Sequence, residues 1–297
     1  MKLPTHFFDK PSEVFESLSL CSPKVSQLFV RGNNLEILSR KFNGLRVGIV
    51  GTRDATQAGK NDARRIAQAV CTHGGVVVSG MALGIDGAAH QGAIDVNGLT
   101  ITVLGSGLNQ IYPARHKQLF NDITKNGVAI SEFDPETKPL AWHFPIRNRI
   151  IASLSDVLVV PEGTLKGGAR ITVDLALAMG KTVCAVPGSI RNRSSELPNS
   201  IIKDGAVAIL DPADVLRELG MEVENVGWRL STKQPQNDLL CLNKHEETVV
   251  QNLAQQSMQK SEIQQIVGCT TLEISNTLKR LELTEKIRFR RGLYEIC

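Results

Sequence analysis

At 297 residues the chain has room for one sizeable α/β domain and a small second one. With 42% apolar and 22% charged residues it is neither a disordered nor a fibrous chain, and a net charge of +4 does not by itself mark a nucleic-acid binder, so the clustering of arginines decides that question. Six dispersed cysteines without a C-x-x-C pair argue against a disulfide scaffold and for reduced thiols in a cytoplasmic protein, and no signal-peptide core or run of about 20 apolar residues points to a membrane.

Residues 1–43 read as a lead-in without strong periodicity, in which Gln27-Leu28-Phe29-Val30-Arg31-Gly32 fits a strand or an edge pairing. From Leu45 the pattern is regular. Arg46-Val47-Gly48-Ile49-Val50-Gly51 predicts a buried strand. A helix over 60–72 follows, with Ala63, Ile66, Ala67 and Val70 on one face, stopped by His73-Gly74-Gly75. The alternation continues with strands at 76–78, 100–104, 128–131, 157–160 and 182–186, and with helices at 87–96, 114–126, 147–154 and 168–179. A helix near 197–204 and a short run at 206–210 close the domain. Short, continuously apolar strands alternating with helices imply a doubly wound, mostly parallel α/β sheet covered on both faces. This domain is expected over 44–220, a linker rich in Asn, Ser, Thr and Pro over 221–240, and a second domain over 241–297. In the latter, helices at 246–255, 260–267 and 271–283 precede two short strands about an Arg-Gly turn, the order of a winged helix.

The chemistry gathers where strands end. Ser79-Gly80-Met81-Ala82-Leu83-Gly84-Ile85-Asp86 joins an apolar strand to an alanine-rich helix. Such a turn places backbone N–H groups and the positive end of a helix around a phosphate. Gly80, Gly84 and Gly87 allow close backbone approach, Ser79 offers a donor, and Asp86 stands where a helix cap belongs. His90, one turn on, fits a packed histidine, since no nucleophile or metal-ligand set surrounds it.

The first turn, Gly48-Ile49-Val50-Gly51-Thr52-Arg53, is not G-x-G-x-x-G, and no ribose-binding acid follows the second strand. Arg53, at a strand's carboxyl end, points to a phosphate. Gly105-Ser106-Gly107 supplies a third polar loop, and Tyr112 before Pro113 fits either a base-stacking residue or a packed corner. In His143-Phe144-Pro145-Ile146-Arg147-Asn148-Arg149, two arginines near a helix start oppose its dipole unless an anion offsets them. The loop from Glu162 to Arg170 carries Lys166 but lacks the G-x-x-x-x-G-K-[ST] of a triphosphatase. Val186-Pro187-Gly188-Ser189, with Arg191 and Arg193, ends the sixth strand in the same manner.

Together these segments resemble the DprA/Smf family. The likeness rests on Ile49-Val50-Gly51-Thr52-Arg53, on Ser79 to Asp86 with Ala89-His90, and on Val103-Leu104-Gly105-Ser106-Gly107 with Tyr112-Pro113. It continues through Ile130-Ser131-Glu132, Phe144-Pro145-Ile146-Arg147-Asn148-Arg149-Ile150-Ile151, Val186-Pro187-Gly188 and Ile201-Ile202-Lys203-Asp204-Gly205-Ala206, covering about 28–216. The winged-helix tail also matches the family's usual end. The resemblance implies an extended Rossmann-like domain that binds single-stranded DNA, protects incoming DNA and loads the RecA recombinase in natural transformation and recombination. It also implies a homodimer, and neither an enzymatic activity nor a cofactor.

By motif, DNA contact carries to Arg53, to Phe144, Arg147, Asn148 and Arg149, and to the loop of Lys166, Gly167 and Gly168. Ser79, Gly80, Gly84, Gly105 and Ser106 join them from the strand-end reading. Two departures stand out. The lead before Leu28 is too short for the family's sterile-alpha-motif-like domain. The family's Ser-Gly-Ser-Leu-Ile-Thr-Ala is replaced by Gly167-Gly168-Ala169-Arg170-Ile171-Thr172-Val173, where Arg170 is the candidate substitute donor. On the tail, Lys279, Arg280, Arg288, Arg290 and Arg291 fit double-stranded DNA or a protein partner equally. The competing readings are a free-nucleotide sensor and a nucleoside-monophosphate phosphoribohydrolase. The latter's loop ends in a catalytic glutamate that Pro161-Glu162-Gly163-Thr164-Leu165-Lys166-Gly167-Gly168 lacks.

Overall fold

The structure, a computed structural model, describes residues 3–39, 42, 44–224, 226–227, 244–253, 256–268, 274, 277–278, 281, 287–290 and 293–296. The chain divides into two units, Met1–Leu230 and Ser231–Cys297.

The first unit opens with β1 (His6–Phe8), α1 (Pro11–Val14) and β2 (Leu28–Gly32), and then alternates. β3 (Arg46–Ile49), α2 (Gln57–Thr72), β4 (Val76–Ser79), α3 (Ile85–Asp95), β5 (Leu99–Val103), α4 (Lys117–Asn126) and β6 (Val128–Ser131) carry the chain outward. α5 (His143–Leu154) brings it back to β7 (Val157–Val160), followed by α6 (Gly168–Ala178), β8 (Thr182–Ala185), α7 (Glu196–Lys203), β9 (Val207–Ala208) and α8 (Asp214–Arg217). The strand order is β1-β2-β6-β5-β4-β3-β7-β8-β9. The seven strands from β3 to β9 run parallel, and β1 and β2 are antiparallel additions at one edge. The direction of winding reverses between β3 and β7, and in open α/β sheets that reversal opens a crevice beyond the strands' carboxyl ends.

Period-two alternation sorts the strand residues onto two cores. Val76, Val78, Leu158 and Val160 pack with Ile150 and Leu154 of α5 and with Val173 and Ala176 of α6. Val77, Val157 and Val159 face the other way, onto Ile66 and Val70 of α2 and Ile85 and Ala89 of α3. The lead-in belongs to this unit. Its expected strand is β2, whose Val30 pairs with Ile130, and Leu28 and Val30 are fully buried. Two expectations shift at α3. The helix begins two residues before the expected 87, because Ile85 is needed in the core, and its cap position is Gly84 rather than Asp86. Gly84 has φ 78°, and a Cβ there would lie 2.3 Å from Thr52 O.

Cys21, Cys71 and Cys184 are free thiols, and burial pushes Cys71 and Cys184 up to about 12. Among the described residues no helix is long and apolar enough to cross a membrane.

The second unit contains α9 (Lys244–Leu253), α10 (Lys260–Val267) and an antiparallel hairpin of β10 (Ile287–Arg290) and β11 (Leu293–Ile296). Val249, Leu253, Ile263, Ile274, Leu278, Leu281 and Ile287 form its core. Most of the helix expected over 271–283 lies outside the described residues, as do most of the linker and Lys279, Arg280 and Arg291. Arg288 pairs with Glu295 across the hairpin at 2.8 Å, and Arg290 ends β10.

Candidate nucleic-acid interface

A cleft of about 400 Å³ lies at the reversal between β3 and β7. The segments leaving the two strands run side by side, Val50 N donating to Val159 O at 3.0 Å and Thr52 N to Glu162 O at 2.9 Å. One wall is Gly51, Thr52 and Arg53, and the opposite wall is Gly163 and Thr164 with the start of α6. Ala141, Phe144, Pro145, Arg147 and Asn148, from the start of α5, close a third side.

The helix ends around this cleft are not equivalent. α2 is stoppered: Thr56 Oγ1 accepts from Gly59 N at 3.0 Å. Thr56 in turn donates from N and Oγ1 to the Glu162 carboxylate, at 2.8 and 2.6 Å. At α3, Ile85 N donates to Thr52 O and Gly87 N to Ala82 O. α5 and α6 have no side-chain cap: at α5 His143 N donates to Leu140 O at 3.0 Å and Pro145 has no N–H, and at α6, whose cap residue is Gly167, Arg170 N donates to Gly167 O at 3.1 Å. Helix starts without a side-chain cap present the positive end of the dipole and whichever first-turn N–H groups remain free, which suits an anion.

Arg53 is exposed, with its guanidinium 5.3 Å from the centre of the Phe144 ring. The same ring lies 5.6 Å from Tyr112, which is 46% exposed, and together with Gly105 and Pro113 they line a second, smaller recess that shares Arg53 and Arg147 with the cleft. Tyr112 is therefore both a packed corner and an accessible ring.

Arg147 forms the floor of the cleft and is almost fully buried. It donates to the Val103 carbonyl, and its Nε donates to Asn148 Oδ1 at 3.2 Å. Asn148 reaches on to the Gly168 carbonyl at 3.4 Å and so ties the starts of α5 and α6 together. Burial lowers Arg147 to about 10 against the pull of Asp86, with Arg53 lowering it further. Burial likewise pushes the Asp86 carboxyl up, opposed by Arg147 and by the Ala82 N–H that it accepts at 3.3 Å. Asp86, expected as a helix cap, is thus the counter-charge of the cleft's floor. Only the fold brings it to Arg147, 61 residues away in the chain.

Several expected site residues lie elsewhere. Arg149 is turned away from the cleft, bound by both oxygens of Glu132 at 2.7 Å and by Pro23 O at 2.8 Å. For Arg147 and Arg149 alike, the anion or carbonyl that offsets them in the free protein is the protein's own. Ser79 Oγ donates to Ile49 O at 2.6 Å, across β4 and β3, and Ser106 Oγ donates to Gln110 O at 2.7 Å within its loop. Arg170 pairs with Asp174 at 2.8 Å on α6 and borders a separate recess. Gly80 and Gly84 pack the floor and the β3 loop, and Gly105 packs against Phe144. Gly167 and Gly168 line the cleft, with Lys166 exposed beside them. His90, read as a packed residue, is fully buried between Thr100 Oγ1 at 2.7 Å and Gly80 O at 2.6 Å.

A doubly wound sheet with a cleft at its reversal, where Arg53 and Arg147 stand beside Asp54 and Asp86, defines a Rossmann-like protein with a polar binding cleft. Comparison with known proteins narrows the class. Residues 12–220 match the model of the DNA recombination-mediator protein A family, and the chain belongs to that family. It is 42% identical over 192 residues to the DNA processing protein DprA of Bacillus subtilis (strain 168), covering 65% of this chain and 63% of that one. It is 40% identical over 193 residues to the protein Smf of Escherichia coli (strain K12), covering 65% of this chain and 50% of that one. The chain thus spans about half to two thirds of the length of these curated relatives. Among solved structures, DNA processing protein A of Streptococcus pneumoniae aligns with a TM-score of 0.66 at 34% identity, covering 75% of this chain and 76% of that one. That of Helicobacter pylori, described for its unique single-stranded DNA binding mode, aligns with a TM-score of 0.65 at 26% identity, covering 74% and 98%.

Proposed function

We propose that the cleft holds the backbone of single-stranded DNA, and that the protein is a non-enzymatic recombination mediator that protects incoming single strands and loads the RecA recombinase onto them. The observation that carries this reading is the meeting of exposed Arg53 with the starts of α5 and α6, neither with a side-chain cap, around one cleft. The single-stranded DNA bound by the Helicobacter pylori relative supports it. Phosphates at arginines and helix ends give affinity without sequence preference, and Phe144 and Tyr112 offer ring faces that any base can stack on. Binding is favoured over hydrolysis because Glu162, the carboxylate of the β7 loop, is already engaged by Thr56. A homodimer working in the cytoplasm completes the reading. The second unit fits a winged helix, whose hairpin arginines Arg288 and Arg290 serve either duplex DNA or a protein partner.

The deciding experiment titrates salt against binding of single- and double-stranded oligonucleotides, for the full chain and for the chain cut near Pro235. Expected is tight, salt-dependent binding of single strands by both forms, with any duplex binding confined to the full chain. A mononucleotide that displaces oligo-dT at micromolar concentration would replace this reading with that of a nucleotide sensor.

A further inference from the structure

Trp142 is 59% exposed, unusual for the largest of the aromatic side chains. It is the cap residue of α5 and stands in the chain between Ala141 and Phe144, both of which line the cleft. Its ring is propped from within the fold. The indole meets His143 edge to face at 4.1 Å, and His143 stacks on Phe133 at 3.9 Å. His143 is itself held by Gly105 O at 3.1 Å from its Nδ1. The three rings form a row anchored to the β5 loop and ending in solvent.

We propose that Trp142 is a base-stacking platform at the mouth of the cleft, lengthening the single-strand site by one nucleotide. The inference rests on the reading of the cleft given above. The indole contributes no cap hydrogen bond to α5, so helix capping does not explain its place there. An unpaired base is the occupant that fits. The platform follows Ala141 and precedes Phe144, both in the lining of the cleft that holds Arg53 and Arg147, so a strand whose phosphates lie at Arg53 and the start of α5 passes next to the cap residue. Even with the exposed side chains of Leu140, Tyr112 and Ile171 added, one indole is far smaller than the ~1,000 Å² that a stable protein interface needs. Stacking also suits a protein that takes any sequence, because every base presents a π-face.

The chain has two tryptophans, Trp142 and Trp228, so in Trp228→Phe the platform is its own reporter. With that variant, binding is followed by the anisotropy of labelled oligo-dT, and stacking by quenching of the intrinsic emission with unlabelled oligo-dT. Quenching should saturate with the anisotropy change, and an abasic oligomer of the same length should bind without quenching. Trp142→Ala should weaken binding of oligo-dT by about tenfold with an unchanged salt slope, and Trp142→Tyr should restore most of it. If anisotropy rises while the emission stays constant and Trp142→Ala binds like the parent, the platform is refuted and the cleft stands. If anisotropy does not rise at all, the reading of the cleft falls and the platform with it. Quenching that follows protein concentration without DNA would assign Trp142 to self-association instead, and refute the platform.

Discussion

Asp86 and Arg147 stand on either side of Gly80, and a Cβ added to that glycine would lie 2.4 Å from Asp86 Oδ2 and 2.6 Å from Arg147 Nη2. The missing side chain is what lets a buried carboxylate and a buried guanidinium share the floor of the cleft. Neither can swing aside into solvent, since both are almost fully buried. Gly80→Ala is therefore expected to overpack the floor, lowering stability by about 1–3 kcal/mol and weakening oligo-dT binding together. Urea unfolding and anisotropy on the same preparations check this. An unchanged unfolding midpoint would show that the floor yields, contrary to the packing described.

Arg53 and Arg147 were indistinguishable as charges in the sequence, and the fold gives them different work. Arg53 is exposed, so Arg53→Ala should leave stability within about 0.5 kcal/mol of the parent. It should weaken binding of all sequences alike and flatten the salt dependence by about 0.7 in log–log slope for each phosphate that the guanidinium no longer neutralises. Arg147→Ala should instead cost about 3 kcal/mol of stability, because it leaves a cavity in the floor, strips the Val103 carbonyl and Asn148 Oδ1 of their donor and removes the positive charge near buried Asp86. A salt slope that is unchanged in Arg53→Ala would remove this arginine from the interface.

Arg149 is expected to be silent in binding. Its guanidinium joins α5 to Glu132 after β6 and to Pro23 in the lead-in, all away from the cleft. Arg149→Ala, or Glu132→Gln with a smaller effect, should lower the unfolding free energy by roughly 3 kcal/mol while the folded fraction binds oligo-dT with parental affinity. A weakened affinity at full folding would return Arg149 to the site.

From β3 to β9 the strands and helices were legible because each is a local pattern, an apolar run such as 76–78 between glycines or one apolar face over 60–72, whereas the short β1, α1 and α8 carry no such pattern and were not expected. Arg31 shows where legibility ends. It sits in a run read only as a strand or an edge pairing, and it is buried with bonds to Thr5 Oγ1, Leu108 O and Asn109 Oδ1, partners that only the sheet edge assembles. At the site, Arg53 was legible from its place after a strand. The approach of Asp86 and Arg147 to either side of Gly80 was not, because it brings together two helices distant in sequence. Arg149 could have been separated from Arg147 by geometry alone, for residues two apart on a helix point about 200° from one another and cannot both face one cleft.

His90 links the acid stability of the fold to the same floor. The Gly80 carbonyl accepts from the ring at 2.6 Å, so Nε2 carries the proton in the neutral imidazole. Burial lowers His90 from 6.5 to about 4, opposed by the Gly80 bond and reinforced by His116 and Arg147. In the unfolded chain the residue takes up its proton near 6.5, whereas the folded chain resists until about pH 4. The stabilisation is therefore complete above pH 6.5 and is lost as pH falls through this window, by on the order of 3 kcal/mol in total. His90→Gln keeps an amide donor without a titrating group. Its unfolding free energy, measured in urea at a series of pH values, should be lower than the parent's at pH 7 and flatter between pH 6.5 and 4. Parallel profiles for the two proteins would mean that His90 does not titrate differently on folding, and that the acid sensitivity of the floor lies elsewhere.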